Sequence, residues 1–215
     1  MKNYTKFIFD LDYTLLIPDW SAEDDYLRKS IPVEQQEEFF KQKQDILNRY
    51  EVEFPRYDFQ TLSDYFKAHG FTVSVETIEG WMKHNGEAII DQVAPGAPEL
   101  LGCLKAYGKK IVILTSWFSG TQIPRLQRTG LYGHIDKMVA GEDAMKPDLE
   151  SFKLAMGNTP KEECIMIGDS LRSDKAGADN AGIDCYIVDK THTLNDFLQE
   201  FRRANAKPRI RERLK

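Results

Sequence analysis

The sequence predicts an α/β fold: a parallel β-sheet covered by helices, with a second, helical module inserted after the first strand. Short apolar runs typical of buried strands alternate with helical stretches along most of the chain. Residues 20 to 93 break this alternation, because they contain no convincing strand and have the pattern of amphipathic helices. With 215 residues, 41% of them hydrophobic, the chain can bury one substantial core and a smaller appended one.

Five strands are predicted in chain order. They cover residues 7 to 9, 111 to 114, 134 to 140, 164 to 167 and 185 to 188. Helical segments connect the later strands, which is the arrangement of an open, Rossmann-like parallel sheet. Four glycines lie where helix C-termini favour this residue: Gly108, Gly130, Gly157 and Gly182.

The inserted module is rich in aromatic and acidic residues. In residues 33 to 50 and 61 to 70, apolar side chains recur at helical spacing. We expect the aromatic residues to form the core of a helical subdomain rather than a stacking surface for a ligand. The predicted organisation is a core domain of residues 1–17 and 94–205, a helical domain of residues 18–93 and a basic C-terminal tail of residues 206–215.

Composition excludes several classes of protein. A net charge of −5 argues against a general nucleic-acid-binding protein, which needs a basic surface for phosphate contacts. No run approaches the roughly 18 apolar residues of a membrane span and no secretory signal is visible, so we expect a cytoplasmic protein without a membrane partner. Cys103, Cys164 and Cys185 are far apart in apolar segments, which favours reduced, buried thiols. From Phe201 onward the basic C-terminus is expected to be a frayed helix and solvated tail rather than an anion-binding arm.

Polar residues follow three of the predicted strands. Asp10 ends the first strand, Thr115 and Ser116 end the second, and Asp169 follows the strand at residues 164 to 167. Each alone has an ordinary explanation, such as a helix cap or a turn. Ligands of open α/β sheets bind outside the carboxyl ends of the strands, so we expect these side chains to share one crevice.

A second carboxylate, Asp12, lies two residues after Asp10, and Lys146 follows in a loop that could reach the same crevice. Unpaired carboxylates held close together are costly unless a cation neutralises them. A site with few carboxylates and room for water and phosphate suits Mg²⁺ better than a dedicated Ca²⁺ cage. The pattern therefore predicts a magnesium site.

Four segments resemble the motifs of the haloacid dehalogenase (HAD) superfamily. They are DLDYT at residues 10 to 14, ILTS at 113 to 116, Lys146 in MKPD, and GDSLRSD at 168 to 174. Their order and spacing also agree with the family, and the resemblance covers about residues 5 to 190. It implies a Rossmann-like core with a helical cap between the first two motifs, which is where the inserted module lies. Such a cap implies a closable lid.

The resemblance implies aspartyl-phosphate chemistry. Asp10 would be the nucleophile that attacks phosphorus, and Asp12 would protonate the leaving oxygen and then activate water. The carboxylates of Asp10 and Asp169 and the backbone carbonyl of Asp12 would hold Mg²⁺. Asp174 would orient the surrounding loop without binding the metal directly.

The resemblance also implies a phosphate-binding group. Thr115, Ser116 and Lys146 would bind the phosphate oxygens and offset their charge. Two residues depart from the family pattern: Tyr13 stands where many relatives have glycine, and Trp117 follows the second motif. They would either narrow the substrate entrance or pack against the inserted module.

The expected function is that of a Mg²⁺-dependent phosphatase acting on a small-molecule phosphate ester. Dehalogenases of the superfamily lack an aspartate at the position of Asp12 and need no metal, so phosphate chemistry is favoured. A nucleoside monophosphate and a phosphoglycolate-like metabolite are the candidate substrates. A phosphomutase or phosphotransferase stays open, as does a HAD-fold binding module with little turnover. No sequence pattern indicates the oligomeric state.

Overall fold

The structure, a computed structural model, describes residues 2 to 206. Its strands are β1 (Lys6–Phe9), β2 (Leu16–Asp19), β3 (Ile90–Val93), β4 (Lys110–Leu114), β5 (Lys137–Val139), β6 (Cys164–Gly168) and β7 (Asp184–Ile187). Its α-helices are α1 (Asp25–Ser30), α2 (Val33–Glu53), α3 (Phe59–Ala68), α4 (Val75–Ala88), α5 (Ala97–Ala106), α6 (Ser119–Arg128), α7 (Leu149–Met156), α8 (Ala176–Ala181) and α9 (Leu194–Asn205).

Five strands form a parallel sheet in the order β5-β4-β1-β6-β7. The central strand β1 is in register with both neighbours, since Phe9 lies level with Ile113 on one side and Ile167 on the other. The predicted α/β fold with a Rossmann-like sheet is therefore confirmed. β5 is shorter than predicted, because Tyr132–His134 form a 3₁₀ turn before it. The four glycines expected at helix ends all have a positive φ.

A two-stranded antiparallel ribbon joins the sheet domain to the inserted segment. β2 pairs with β3, with Leu16 opposite Val93 and Asp19 opposite Ile90. The expectation that residues 20 to 93 contain no strand is therefore wrong for β3. Its residues, IDQV, are half exposed and too mixed in polarity to give a strand pattern.

The helices of the insert enclose their own aromatic core. Phe39, Tyr50, Phe66 and Trp81 are fully buried there, and Phe39 and Phe66 lie 5.4 Å apart between ring centroids. The expectation of an aromatic subdomain core is thus confirmed. Asp58 and Ser74 cap α3 and α4 by accepting hydrogen bonds from backbone amides in the first turn of each helix.

The end of the described chain is packed, not frayed. Phe201 in α9 is buried against Phe7 of β1, with ring centroids 5.7 Å apart, which corrects the expected frayed helix for this stretch. Residues 207 to 215 of the predicted basic tail lie outside the described residues. The three cysteines are unpaired, but only Cys164 is fully buried. Among the described helices, none has both the length and the apolar character needed to cross a membrane.

Candidate active site

The predicted site residues meet at the carboxyl edge of the sheet. Asp10 continues β1, and its amide donates to the carbonyl of Ile167 on β6 at 2.9 Å. Thr115 follows β4, and its amide donates to Val139 at 3.0 Å. The aligned strand ends therefore deliver side chains from both loops to one crevice, as the sequence predicted.

Lys146 forms the centre of a buried charge cluster. Its Nζ lies 2.5 Å from Asp10 Oδ1 and 2.6 Å from Asp174 Oδ1, and all three side chains are at most 10% exposed. Burial alone would lower the pKa of Lys146, but the two carboxylates outweigh it and raise that pKa, so the ammonium form is favoured. For Asp10, burial is the largest effect and raises the pKa of its carboxyl group, while the charge of Lys146 lowers that pKa and favours the carboxylate.

The acidic residues are close enough to bind one cation. Carboxylate oxygens of Asp10, Asp169 and Asp174 all lie within 4.8 Å of one another. Burial, followed by the nearby Asp174 carboxylate, raises the pKa of Asp169. A donor set made of carboxylate oxygens fits a hard divalent cation. The carboxylates that the sequence assigned to a metal are thus brought together, and Asp174 joins them.

Asp174 is fixed by the loop after β6. This loop winds through a π-turn at Leu171–Lys175, and the amide of Ser170 donates to Asp174 Oδ2 at 3.0 Å. A Cβ on Gly168 would overlap the Asp174 carboxylate, so β6 has to end in glycine. Asp174 contacts the loop as predicted, but it also contacts Lys146 directly, which the sequence did not indicate.

Asp12 has partners that the sequence analysis missed. Arg125 Nη2 donates to Asp12 Oδ1 at 2.7 Å, and Gln122 Nε2 donates to Asp12 Oδ2 at 2.8 Å. Both partners are fully buried on α6, which the sequence identified only as a connecting helix. The available signal was two polar residues, three positions apart, on the face of α6 that also carries the buried Leu126.

Thr115 and Ser116 have different surroundings. Thr115 is buried, and its Oγ1 accepts from Gln122 Nε2 at 3.0 Å. The Ser116 hydroxyl accepts from the backbone amide of Lys146 at 3.2 Å. Ser116 therefore holds the loop that carries Lys146, and its predicted contact with phosphate stays a prediction.

A cleft of about 1300 Å³ opens above these residues, between the sheet and the insert. Tyr13 stands at the cleft and is half exposed, with its hydroxyl accepting from Trp20 Nε1 at 3.0 Å. Trp117 also lines the cleft but packs into the aromatic core of the insert, with its ring centroid 5.6 Å from that of Tyr57. The position of Tyr13 thus agrees with a residue that narrows the substrate entrance. The position of Trp117 agrees both with that interpretation and with packing against the insert.

Comparison with known proteins identifies the family. The model of haloacid dehalogenase-like hydrolases matches residues 6 to 182, which is most of the chain. The protein belongs to the haloacid dehalogenase-like hydrolases. The match spans the inserted helices and every strand of the parallel sheet except β7, so this hydrolase has its insert within the family domain.

Curated relatives match about half of the hydrolase. It is 38% identical over 109 residues to pyrimidine 5'-nucleotidase YjjG of Escherichia coli, covering 48% of each protein. It is 31% identical over 101 residues to ribulose-1,5-bisphosphate 5-phosphatase of Halopiger xanaduensis, covering 45% of this chain and 42% of the relative. The chain therefore spans about half the length of the curated relatives that it matches.

Among solved structures, the magnesium-bound HAD-hydrolase YfnB of Bacillus subtilis superposes on the hydrolase with a TM-score of 0.65. The two share 24% sequence identity, and the superposition covers 93% of this chain and 99% of YfnB. At that identity the likeness concerns the fold.

Proposed function

We propose that the protein is a metal-dependent phosphatase that hydrolyses a small phosphate monoester through an aspartyl-phosphate on Asp10. The observation that carries this proposal is the buried cluster in which Asp10 contacts the ammonium of Lys146 at the carboxyl edge of the sheet. A nucleophilic carboxylate needs a nearby cation to receive a phosphate dianion, because the two anions would otherwise repel each other.

In the first half of the proposed reaction, an oxygen of Asp10 forms a bond to phosphorus while the bond to the ester oxygen breaks. Asp12 gives its proton to that ester oxygen, which leaves as the alcohol. Lys146 and Thr115 bind the non-bridging phosphate oxygens, where negative charge has to be offset.

In the second half, a water oxygen forms a bond to phosphorus and the bond to Asp10 breaks. Asp12 takes a proton from that water, and inorganic phosphate leaves. The metal, which we propose to be Mg²⁺, would be held by Asp10, Asp169 and the backbone carbonyl of Asp12, with Asp174 beside them. When bound, it supplies positive charge that offsets the charge of the phosphoryl group.

The residues that line the cleft favour a substrate with a small, polar leaving group. Gln44, Asn48 and Glu51 lie on successive turns of α2 and line it, with Gln44 Nε2 donating to Asn48 Oδ1 at 3.1 Å. These amide and carboxylate groups could bind a nucleobase or a hydroxyl-bearing chain. Because the relatives named above include a pyrimidine 5'-nucleotidase, nucleoside monophosphates are the first class to test, followed by phosphoglycolate-like metabolites.

The test is phosphate release from nucleoside monophosphates, phosphoglycolate, sugar phosphates and 4-nitrophenyl phosphate, with and without Mg²⁺. We expect release that requires Mg²⁺ and disappears in Asp10→Asn, which keeps the shape of the side chain but removes the nucleophile. Asp143→Asn is the matched control, because Asp143 caps its own loop by accepting from the Ala140 amide. Undiminished release by Asp10→Asn would contradict the proposal.

The same assay separates the alternatives. A phosphotransferase would leave a phosphorylated acceptor when a second alcohol is added, and would release less phosphate than the substrate consumed. A binding module would bind Mg²⁺ and substrate without releasing phosphate at all.

A further inference from the structure

A fully buried arginine, Arg125, links Asp12 to the strand that leaves the insert. Arg125 of α6 donates from Nη2 to Asp12 Oδ1 at 2.7 Å and to Asp91 Oδ1 at 2.5 Å, and its Nε donates to Asp91 Oδ2 at 3.0 Å. The side chains of Arg125 and Asp91 are 0% exposed. Because the guanidinium is planar and has its donors fixed by two carboxylates, it has one orientation available.

Gln122 makes the second contact to the same carboxylate. Its Nε2 donates to Asp12 Oδ2 at 2.8 Å and to Thr115 Oγ1 at 3.0 Å, while its Oε1 accepts from Arg125 Nη1 at 2.5 Å. Both oxygens of Asp12 therefore accept hydrogen bonds from α6. Once Asp12 has given its proton to the leaving oxygen, these donors face a carboxylate that can accept a proton from water.

Helix α6 is in turn held by the insert. Thr121 Oγ1 donates to the carbonyl of Met82 at 2.9 Å, and Arg128 Nη1 donates to the carbonyl of Gly86 at 2.7 Å, both on α4. A Cβ on Gly86 would lie 3.0 Å from the carbonyl oxygen of Gly120, so the two helices pack at close range. The position of Gln122 and Arg125 is thus set by packing between the insert and the sheet domain.

We propose that Gln122 and Arg125 are positioning residues that hold the Asp12 carboxylate to accept the water proton in the second half of the reaction. Asp91 fixes Arg125 from the side of the insert. In this step the water oxygen bonds to phosphorus, the bond from phosphorus to Asp10 breaks, and the water proton passes to Asp12. The proposal rests on the proposed phosphatase function.

The test uses 4-nitrophenyl phosphate, whose leaving group departs without a proton, so that only the second half needs Asp12 as a base. Gln122→Met removes the amide that donates to Asp12 and Thr115 and keeps a similar side-chain volume. Arg125→Lys keeps the positive charge but lacks the planar guanidinium that donates to Asp12 and Asp91 together. We expect kcat to fall by about 10- to 100-fold and KM to fall with it, leaving kcat/KM nearly unchanged. Acid quenching should then trap the phosphorylated protein.

Two further variants test the proposal if Arg125→Lys folds poorly. Asp91 contacts Arg125 but not Asp12, so we expect Asp91→Asn to lower kcat and KM together, but by less than Arg125→Lys does. Gln127→Met is the matched control for Gln122→Met, because Gln127 is on the same helix but is exposed to solvent. It should leave kcat and KM unchanged.

The outcomes separate the two proposals. If kcat is unchanged, or if kcat and kcat/KM fall together without trapped phosphoprotein in folded variants, the positioning role is wrong while the phosphatase function stands. If the wild-type protein releases no phosphate from any ester tested, the proposed function itself fails.

Discussion

The ammonium of Lys146 and the carboxylate of Asp10 form a buried ion pair, with 2.5 Å between Nζ and Oδ1. Asp174 contacts the same ammonium from the loop after β6. One cation therefore holds together two carboxylates that belong to separate strand ends.

Lys146→Met should impair both catalysis and stability. Its removal leaves two buried carboxylates facing each other, so we expect the free energy of unfolding to fall by about 3 kcal/mol without divalent metal. The variant also lacks the positive charge that would offset the charge of the phosphoryl group during its transfer, so kcat should fall by about 10²- to 10³-fold. Urea unfolding and phosphate release measure the two effects.

The control for that variant is Lys153→Met, because Lys153 is 57% exposed and its ion pair with Glu150 spans 3.7 Å. It should change the unfolding free energy by less than about 0.5 kcal/mol. Full activity in Lys146→Met would contradict the assigned role of this lysine.

Gly168→Ala should displace Asp174, because the added methyl group would overlap its carboxylate. We expect a loss of about 1 to 3 kcal/mol in unfolding free energy, and a smaller rise of Tm on adding Mg²⁺ than in the wild type. Gly120→Ala is the control, since a Cβ there would meet no atom within 4 Å. If both variants respond to Mg²⁺ like the wild type, Asp174 does not support the metal site.

Tyr13→Gly should alter substrate selectivity more than stability. Tyr13 has a φ of 62°, a left-handed conformation that glycine adopts readily, so relief of strain and the greater freedom of unfolded glycine nearly cancel. Loss of the ring at the cleft should change the ratio of kcat/KM between bulky and small esters by about 10-fold. Tyr13→Phe, which removes only the bond to Trp20, should keep the ratio.

Asp136→Asn should remove contacts of Asp136 whose contribution to the stability of the fold depends on pH. Asp136 Oδ2 accepts from the Ile111 amide at 2.8 Å and Oδ1 from Lys105 at 3.0 Å. Burial opposes ionisation, but these hydrogen bonds and charges outweigh it and lower the pKa of Asp136 below its usual 3.8. Its contribution to stability is therefore complete above pH 3.8 and is lost as the pH falls through the lower value in the folded protein.

We expect Asp136→Asn to lower the unfolding free energy by about 1 to 2 kcal/mol at pH 7, and by less as the pH falls below about 4. Urea unfolding across this pH range measures the difference. Asp179→Asn, at an exposed ion pair with Lys175, is the control and should have little effect. A difference that grows on acidification would contradict the sign.

Most of the sheet and its crevice could be predicted from sequence, because a buried parallel strand is a continuous apolar run that ends at a polar residue. Asp10, Thr115 and Asp169 follow such runs. β3 could not be predicted in this way, since its burial alternates weakly and its pairing with β2 spans the whole insert.

The hydrogen-bond network around Asp12 could not be predicted from the sequence either. Gln122 and Arg125 occupy a buried face of α6 where periodicity favours apolar residues, and their partner Asp91 is distant in sequence. A polar residue on such a face signals a buried partner but does not say which one. Only the three-dimensional arrangement identifies the carboxylates that satisfy it.

The register of the central strand constrains the order in which the chain acquires structure. β1 pairs with β4 and β6, which begin at Lys110 and Cys164, so its neighbours are synthesised long after it. The insert buries most of its aromatic core between Leu27 and Met82. Because local contacts form sooner than distant ones, we expect pulse-labelled amides of α2 to α4 to gain protection before those of β1. The first strand made would then be among the last to find its partners.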